Sequence, residues 1–82
     1  MLSIVIPTLQ AEAHLGHALA ALGNADVVVA DGGSTDATKA IATKAGARVI
    51  EAPRGRGSQL AAGARAAGGD WLLFLHADTV LQ

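Results

Sequence analysis

The chain has 82 residues and a formal net charge of −1, with 51% apolar residues, one Trp, one Phe and no cysteine. A charge so close to zero gives no electrostatic footprint for DNA or RNA. The absence of cysteine excludes disulfides and thiolate metal sites. No run approaches the roughly 20 apolar residues of a membrane span. We therefore expect a cytoplasmic protein with no nucleic-acid partner and no membrane span.

Short apolar runs alternate with segments of helical periodicity. The runs are β-branched or continuously apolar, which is typical of strands, and most lack the alternation of a half-exposed strand. The predicted strands are 2–6, 26–30, 47–51 and 71–75. The predicted helices are about 11–22, 36–45 and 58–67. This β-α-β-α-β-α-β order with short connections predicts an α/β fold whose parallel sheet is built through right-handed crossovers.

The periodicity also predicts which side of each helix packs on the sheet. The expected inward residues, in chain order, are Ala11, Leu15, Ala18, Leu19, Leu22, Ala37, Ala40, Ile41, Leu60, Ala61, Ala64 and Ala67. We expect Ser34 or Thr35 to cap the second helix, with Asp36 in its first turn, where the helix dipole favours a negative charge.

The order of the strands decides which loops meet. If the first strand lies between the second and the fourth, the order is 3-2-1-4, and the charged ends of the third strand suit the sheet edge. Open α/β sheets bind ligands at the carboxyl ends of their strands, beside a switch point in strand order. At that edge, Thr8, Asp31 and Asp78 would converge, although they are far apart in sequence.

The second strand is followed by Asp31-Gly-Gly-Ser-Thr-Asp36. Two glycines allow positive φ, so Asp31 could turn over the ligand crevice. The alternative is a loop in which both aspartates only cap or face water. No Gly-Lys-Ser/Thr follows, which excludes a phosphate loop of the Walker type.

The fourth strand is followed by His76-Ala77-Asp78-Thr79. A single carboxylate with substrate phosphates and water suffices for Mg²⁺, and Mn²⁺ would also accept His76. The alternative is that Asp78 caps a turn and His76 is an ordinary residue at a strand end.

The only basic loop contains Arg54-Gly55-Arg56-Gly57. A guanidinium group matches phosphate geometry, and glycines let a phosphate approach the backbone, so this loop could hold a diphosphate. Arginines that only face water are the alternative.

Four linked segments, 3–8, 31–36, 55–63 and 73–79, together resemble the family 2 glycosyltransferases with the GT-A fold. Within this family they are similar to the bacterial branch of radical-SAM/selenodomain-associated transferases. The resemblance spans the chain in the right order. It implies that residues 1–82 are the N-terminal, Rossmann-like part that binds a nucleotide-sugar, with the general base expected beyond residue 82.

The resemblance also implies a reaction and a set of residues. A sugar would pass from a nucleotide-diphosphate-sugar to an acceptor hydroxyl with the help of Mn²⁺ or Mg²⁺. The implied substrate-binding residues are Pro7, Thr8, Asp31, Gly33, Arg56 and Ala77. The implied metal ligands are Asp78 and His76, the latter standing where the family's Asp-x-Asp motif has its first Asp. Gln10-Ala11 stand where Asn-Glu is usual, which leaves Glu12 displaced by one position.

Two other functions remain open, a nucleotidyltransferase-like enzyme and a non-catalytic module for nucleotide binding or assembly. The first would have a Gly-rich basic loop after the first strand, where Pro7-Thr-Leu-Gln10 stands. A chain of this length would leave the apolar run at 71–75 partly uncovered, which predicts self-association or a missing C-terminal half.

Overall fold

The computed structural model describes residues 2–22, 26–67 and 71–74. The strands are β1 Leu2–Thr8, β2 Asp26–Asp31, β3 Arg48–Glu51 and β4 Trp71–Phe74. The helices are α1 Leu15–Leu22, α2 Thr38–Lys44 and α3 Arg56–Ala66. The predicted alternation is therefore confirmed in the described residues.

The four strands form one sheet in the order β3-β2-β1-β4, and every neighbouring pair is parallel. This confirms the predicted order and places β3 at an edge. In the register of β1 with β2, Thr8 lies opposite Asp31. The carboxyl ends of the two central strands therefore finish side by side.

The two central strands are covered on both faces. Side chains alternate along a strand, so Ile4, Ile6, Val27 and Val29 point to one face, where they pack with α1 and α2. Val5 points to the other face, against α3, and is fully buried. Burial of each such side chain is worth about 1.5–3 kcal/mol, and the continuously apolar strand sequences follow from this double cover.

Helix α2 begins later than predicted, and of its expected inward residues only Ile41 packs against the core. Its first residue is Thr38, and Thr38 and Ala42 are buried, whereas Ala37 and Ala40 are exposed. The predicted caps are also wrong. The N-cap position is occupied by Ala37 and has no side-chain cap, and Asp36 lies before the helix instead of in its first turn. The hydroxyl of Ser34 is instead directed back to Asp31.

Helix α3 begins earlier than predicted, and its inward face is centred on Gln59 and Gly63. Ala61, expected inside, is exposed. Most residues of this helix are small, so apolarity does not mark one side. The buried face is the one on which the helix backbone can lie close to β1. An ideal Cβ on Gly63 would lie only 2.2 Å from Val5 Cγ1.

The amino ends of the strands are tied together by a salt bridge. Arg48 Nη2 lies 3.0 Å and 2.9 Å from the two carboxylate oxygens of Asp26, and Arg48 Nη1 donates to the carbonyl of Ala66 at 2.8 Å. The hydroxyl of Ser3 donates to Asp26 at 2.6 Å. These contacts join three strands and the end of α3 at the edge opposite the predicted site. Among the described residues, no helix is long and apolar enough to cross a membrane.

Candidate functional site

The predicted site begins with a buried pair at the carboxyl ends of β1 and β2. Thr8 and Asp31 are opposite one another, and both are buried. The Thr8 hydroxyl donates a hydrogen bond of 2.7 Å to Asp31 Oδ1. The convergence predicted for these two residues is therefore confirmed.

The carboxylate of Asp31 is held entirely by its own loop and by Thr8. Oδ1 also accepts from the Ser34 hydroxyl at 2.6 Å, and Oδ2 accepts from the backbone N–H groups of Gly33 at 3.1 Å and Ser34 at 2.8 Å. Four hydrogen bonds occupy the lone-pair directions of an ionised carboxylate. Asp31 thus acts as the centre around which the loop 31–34 turns, and Gly33 supplies the positive φ of 99° that the turn requires.

These hydrogen bonds also decide the charge state of Asp31. Burial by itself raises the pKa of the carboxyl, but the hydroxyl and N–H of Ser34, with Thr8 and the N–H of Gly33, outweigh burial and lower the pKa below its ordinary value. Asp31 is therefore ionised at neutral pH, as an acceptor of four hydrogen bonds must be.

The loop after β1 is joined to the loop after β2 by Gln10. Its backbone N–H donates to the Ser34 hydroxyl at 2.9 Å, and its side-chain Oε1 accepts from the N–H of Thr35. Gln10 adopts a φ of 52°, the left-handed region that non-glycine residues rarely occupy. Gln10 therefore combines a strained backbone conformation with hydrogen bonds from both its backbone and its side chain to the neighbouring loop.

Further contacts of the same kind follow along the two loops. Glu12 Oε2 accepts from the N–H of Ala37 at 3.2 Å, and the N–H of Glu12 donates to Asp36 at 3.3 Å. The N–H of Ala11 donates to the Thr38 hydroxyl at 2.9 Å. We call this set of contacts, residues 10–12 with 34–38, the β1–β2 loop contact. It gives the displaced Glu12 a structural role at the entry of α2.

The hydroxyl and N–H of Thr38 bind Asp36 Oδ1 and, together with the N–H of Glu12, lower the pKa of the Asp36 carboxyl. Asp36 therefore precedes α2 and accepts hydrogen bonds from the first residue of that helix.

Gln59 connects the start of α3 to the same edge, and it was not among the residues predicted for the site. It is buried, and its Nε2 donates to the carbonyl oxygens of Thr8 and Ala30, both at 2.8 Å. Its Oε1 accepts from the N–H of Gly55 at 3.2 Å. One amide therefore joins the ends of β1 and β2 to the loop that carries the arginines.

The basic loop leads directly into α3. Gly55 has a φ of 140°, which a residue with a side chain rarely adopts, and α3 starts at the next residue, Arg56. Arg54 is exposed, and the N–H of Ala52 donates to the carbonyl of Asp31 at 2.9 Å. The backbone of this loop is thus held beside the end of β2.

The predicted site residues can now be placed. Pro7 is half-buried in β1, and Thr8, Asp31 and Gly33 lie together at its carboxyl end. The backbone of Arg56 starts α3 beside them. His76, Ala77 and Asp78 lie outside the described residues, so the metal site stays a prediction. Within 2–22, 26–67 and 71–74, no group of three His, Cys, Asp or Glu side chains could hold a metal ion.

The family model for glycosyl transferase family 2 matches residues 3–82, nearly the whole chain. The chain belongs to glycosyl transferase family 2. This confirms the resemblance drawn from the four sequence segments, while its narrower form, the radical-SAM-associated branch, stays a prediction. A comparison with curated proteins gave no match.

Solved structures support the same family. The chain is similar to glucosyl-3-phosphoglycerate synthase from Mycobacterium tuberculosis in complex with UDP, with 29% identity and a TM-score of 0.84, over 98% of this chain and 34% of that one. A complex of that enzyme with Mn²⁺, UDP and glucosyl-3-phosphoglycerate gives 28% identity and a TM-score of 0.82, over 94% and 33%. A complex of the same enzyme with Mg²⁺ and UDP gives 29% identity and a TM-score of 0.81, over 94% of this chain and 33% of that one.

The family 2 chain described here therefore spans about a third of the length of these structures. Its sheet matches the N-terminal, Rossmann-like half of the GT-A fold, as the sequence predicted.

Proposed function

We propose that this chain forms the part of a glycosyltransferase that binds a nucleotide-diphosphate-sugar, with the sugar passing to an acceptor hydroxyl. The observation that carries the proposal is the meeting of the Thr8–Asp31 pair with the arginine-bearing start of α3 at one edge of the sheet, in a family 2 chain. Ligands of open α/β sheets bind at such an edge, beside a switch point in strand order.

In this proposal the loops after β1 and β2 hold the nucleoside. Pro7 and Thr8 border it on one side, and the loop 31–34 borders it on the other. The Asp31 carboxylate already accepts four hydrogen bonds within the chain, so it contributes by fixing the backbone of Gly33 and Ser34. Gly33 is exposed, and the absence of a side chain there lets a ligand approach the backbone.

The diphosphate would lie toward Arg54 and Arg56. Arginine presents a planar set of N–H groups that matches two phosphate oxygens at once, and the glycines on either side leave room for the phosphates. The backbone of this loop lies beside the ends of β1 and β2, the position that such a role requires.

A divalent ion, Mn²⁺ or Mg²⁺, belongs to the same proposal, with Asp78 and His76 as its ligands and Ala77 beside the donor. Its support is the chemistry of the motif and the similarity to an enzyme whose structures contain either ion together with UDP. When bound, such an ion would stabilise negative charge on the departing nucleotide diphosphate.

Calorimetry with UDP tests this function. We expect the protein to bind UDP more tightly with Mn²⁺ than with EDTA, and Asp78→Ala to remove that difference. Glu51→Gln is the matched control, because Glu51 is an exposed carboxylate that pairs with Lys39. No binding of UDP at millimolar concentration would overturn the proposal, and equal metal dependence in wild type and Asp78→Ala would overturn the metal assignment.

Self-association and a cytoplasmic location also stay predictions. The expected interface is the apolar run 71–75, of which the structure describes the backbone of Trp71–Phe74 paired with β1.

A further inference from the structure

Gln59 is the least expected buried residue in the described chain. It is 5% exposed and lies near the start of a helix rich in alanine and glycine. A buried primary amide is costly unless its N–H groups and its oxygen find partners. Here both N–H groups are used by Thr8 and Ala30, and the oxygen is used by Gly55.

The partners of Gln59 require an amide at that place. Two backbone carbonyls need N–H groups, and one backbone N–H needs an acceptor. Glutamine satisfies all three, whereas glutamate would bring a carboxylate against two carbonyl oxygens and methionine would satisfy none. The three contacts therefore depend on the chemistry of this side chain as well as on its size.

Gly32 leaves the space that the amide occupies. An ideal Cβ on Gly32 would lie 2.8 Å from both Cδ and Oε1 of Gln59 and 3.0 Å from Nε2. The end of a free glutamine could move away, but this one is fixed by three hydrogen bonds. A side chain at position 32 would therefore displace the amide from its partners.

We propose that Gln59 is a positioning residue that fixes the arginine loop, residues 53–57, against the ends of β1 and β2. The inference rests on the proposed function, because it assigns to this loop the diphosphate of the sugar donor. Gly55 is the joint: its N–H is held by Gln59 Oε1, and its carbonyl accepts from the N–H of Gln59 at 2.9 Å. Arg54 and Arg56 flank that joint on either side.

Loss of the Gln59 amide is expected to affect the part of the ligand that carries phosphate. The nucleoside would bind between the loops after β1 and β2, which the β1–β2 loop contact holds without Gln59. The contact between guanidinium and phosphate depends on two parallel hydrogen bonds, so its strength falls when the loop shifts. Loss of the amide should therefore weaken binding of a nucleoside diphosphate more than binding of the nucleoside.

The test compares UDP with uridine on the wild-type protein, Gln59→Met and the control Ala61→Met, which changes an exposed residue of the same helix. We expect Gln59→Met to lower the affinity for UDP about tenfold, equivalent to about 1.4 kcal/mol, and to leave the affinity for uridine within about twofold. Ala61→Met should change neither affinity. Gln59→Glu keeps the length of the side chain but replaces the amide with a carboxylate that cannot donate to the two carbonyls, so it should lose UDP affinity as Gln59→Met does.

A second variant tests the same contacts without a substitution at position 59, so a folding defect of Gln59→Met does not affect it. Gly32→Ala retains Gln59 but should displace its amide, so it should also reduce UDP affinity. Combined with Gln59→Met, it should add little further loss, because the two changes break the same contacts.

Each result has a definite meaning. UDP affinity that is unchanged in Gln59→Met, or UDP and uridine affinities that fall in parallel, would overturn the positioning role while leaving the proposed function intact. Wild-type protein that binds neither ligand would instead overturn the proposed function, and the positioning role with it.

Discussion

Thr8 and Asp31 end two neighbouring strands in the same register, and the Thr8 hydroxyl donates to Asp31 Oδ1 at 2.7 Å. The hydrogen bond joins side chains that are 23 residues apart in sequence. It also lies between the two loops that would border a nucleoside, so changes at Thr8 test the stability and the binding role of this edge together.

Thr8→Val keeps the shape of the side chain and removes its hydroxyl. We expect the free energy of unfolding to fall by about 1.5–3 kcal/mol, because a buried carboxylate loses a charge-assisted hydrogen bond. Denaturant unfolding at neutral pH measures the change.

Thr8→Ser is the matched control, because it keeps the hydroxyl and loses only a methyl group. It should be clearly more stable than Thr8→Val. Equal destabilisation by the two substitutions would mean that packing of the methyl group matters here and the hydrogen bond does not.

Acid should reveal the contribution of the Asp31 carboxylate. Its pKa is lower in the folded protein than the ordinary 3.8, so the unfolded chain binds the proton more readily between the two values. The stabilisation is complete above the unfolded pKa and is lost as the pH falls through the folded pKa. The stability difference between wild type and Asp31→Asn should therefore shrink from about pH 5 to about pH 2.

Asp36 has a pKa lowered in the same direction, and both proteins retain it, so its contribution cancels in the comparison. A stability difference that stays constant across the acid range would show that the charge of Asp31 does not stabilise the fold.

Gly63→Ala should destabilise the protein although alanine is the better helix former. Alanine gains about 1 kcal/mol over glycine inside a helix, whereas an overpacked core costs about 1–3 kcal/mol. The added Cβ would lie 2.2 Å from Val5 Cγ1, so repulsion should exceed the gain. Thermal unfolding measures the net effect.

Gly57→Ala is the control in the same helix, since no atom lies within 4 Å of its ideal Cβ. It should be neutral or slightly stabilising. In a Val5→Ala background, Gly63→Ala should cost less than in the wild type. A cost that is the same in both backgrounds would locate the clash elsewhere.

The sequence predicted the strands and their order well because the four apolar runs are unambiguous. Helices α2 and α3 were harder, because alanine is compatible with either face and their buried positions include Thr38, Gln59 and Gly63. A polar side chain in a helix is usually placed in solvent. Gln59 is buried because it binds backbone carbonyls of β1 and β2, which are far from it in sequence, and backbone groups carry no sequence signature.

The candidate site was also predicted only in part, because its backbone hydrogen bonds leave no mark in the sequence. The predicted meeting of Thr8 and Asp31 followed from strand order alone. The sequence did not show that the Asp31 carboxylate would be fully engaged by Thr8, Gly33 and Ser34, because hydrogen bonds inside a six-residue loop depend on φ values that composition does not specify. The spacing of Gln59 and Gly63, four residues apart, was the available signal for the inner face of α3.

The β1–β2 loop contact has a consequence for the cost of binding. Fixing the backbone of one residue costs about 1–2 kcal/mol of conformational entropy. Here that cost is met during folding, because Gln10 and Glu12 already hold the loop 34–37 by its N–H groups. A ligand arriving at this edge would meet a loop with little left to order, so less of its contact energy would be offset by loop ordering.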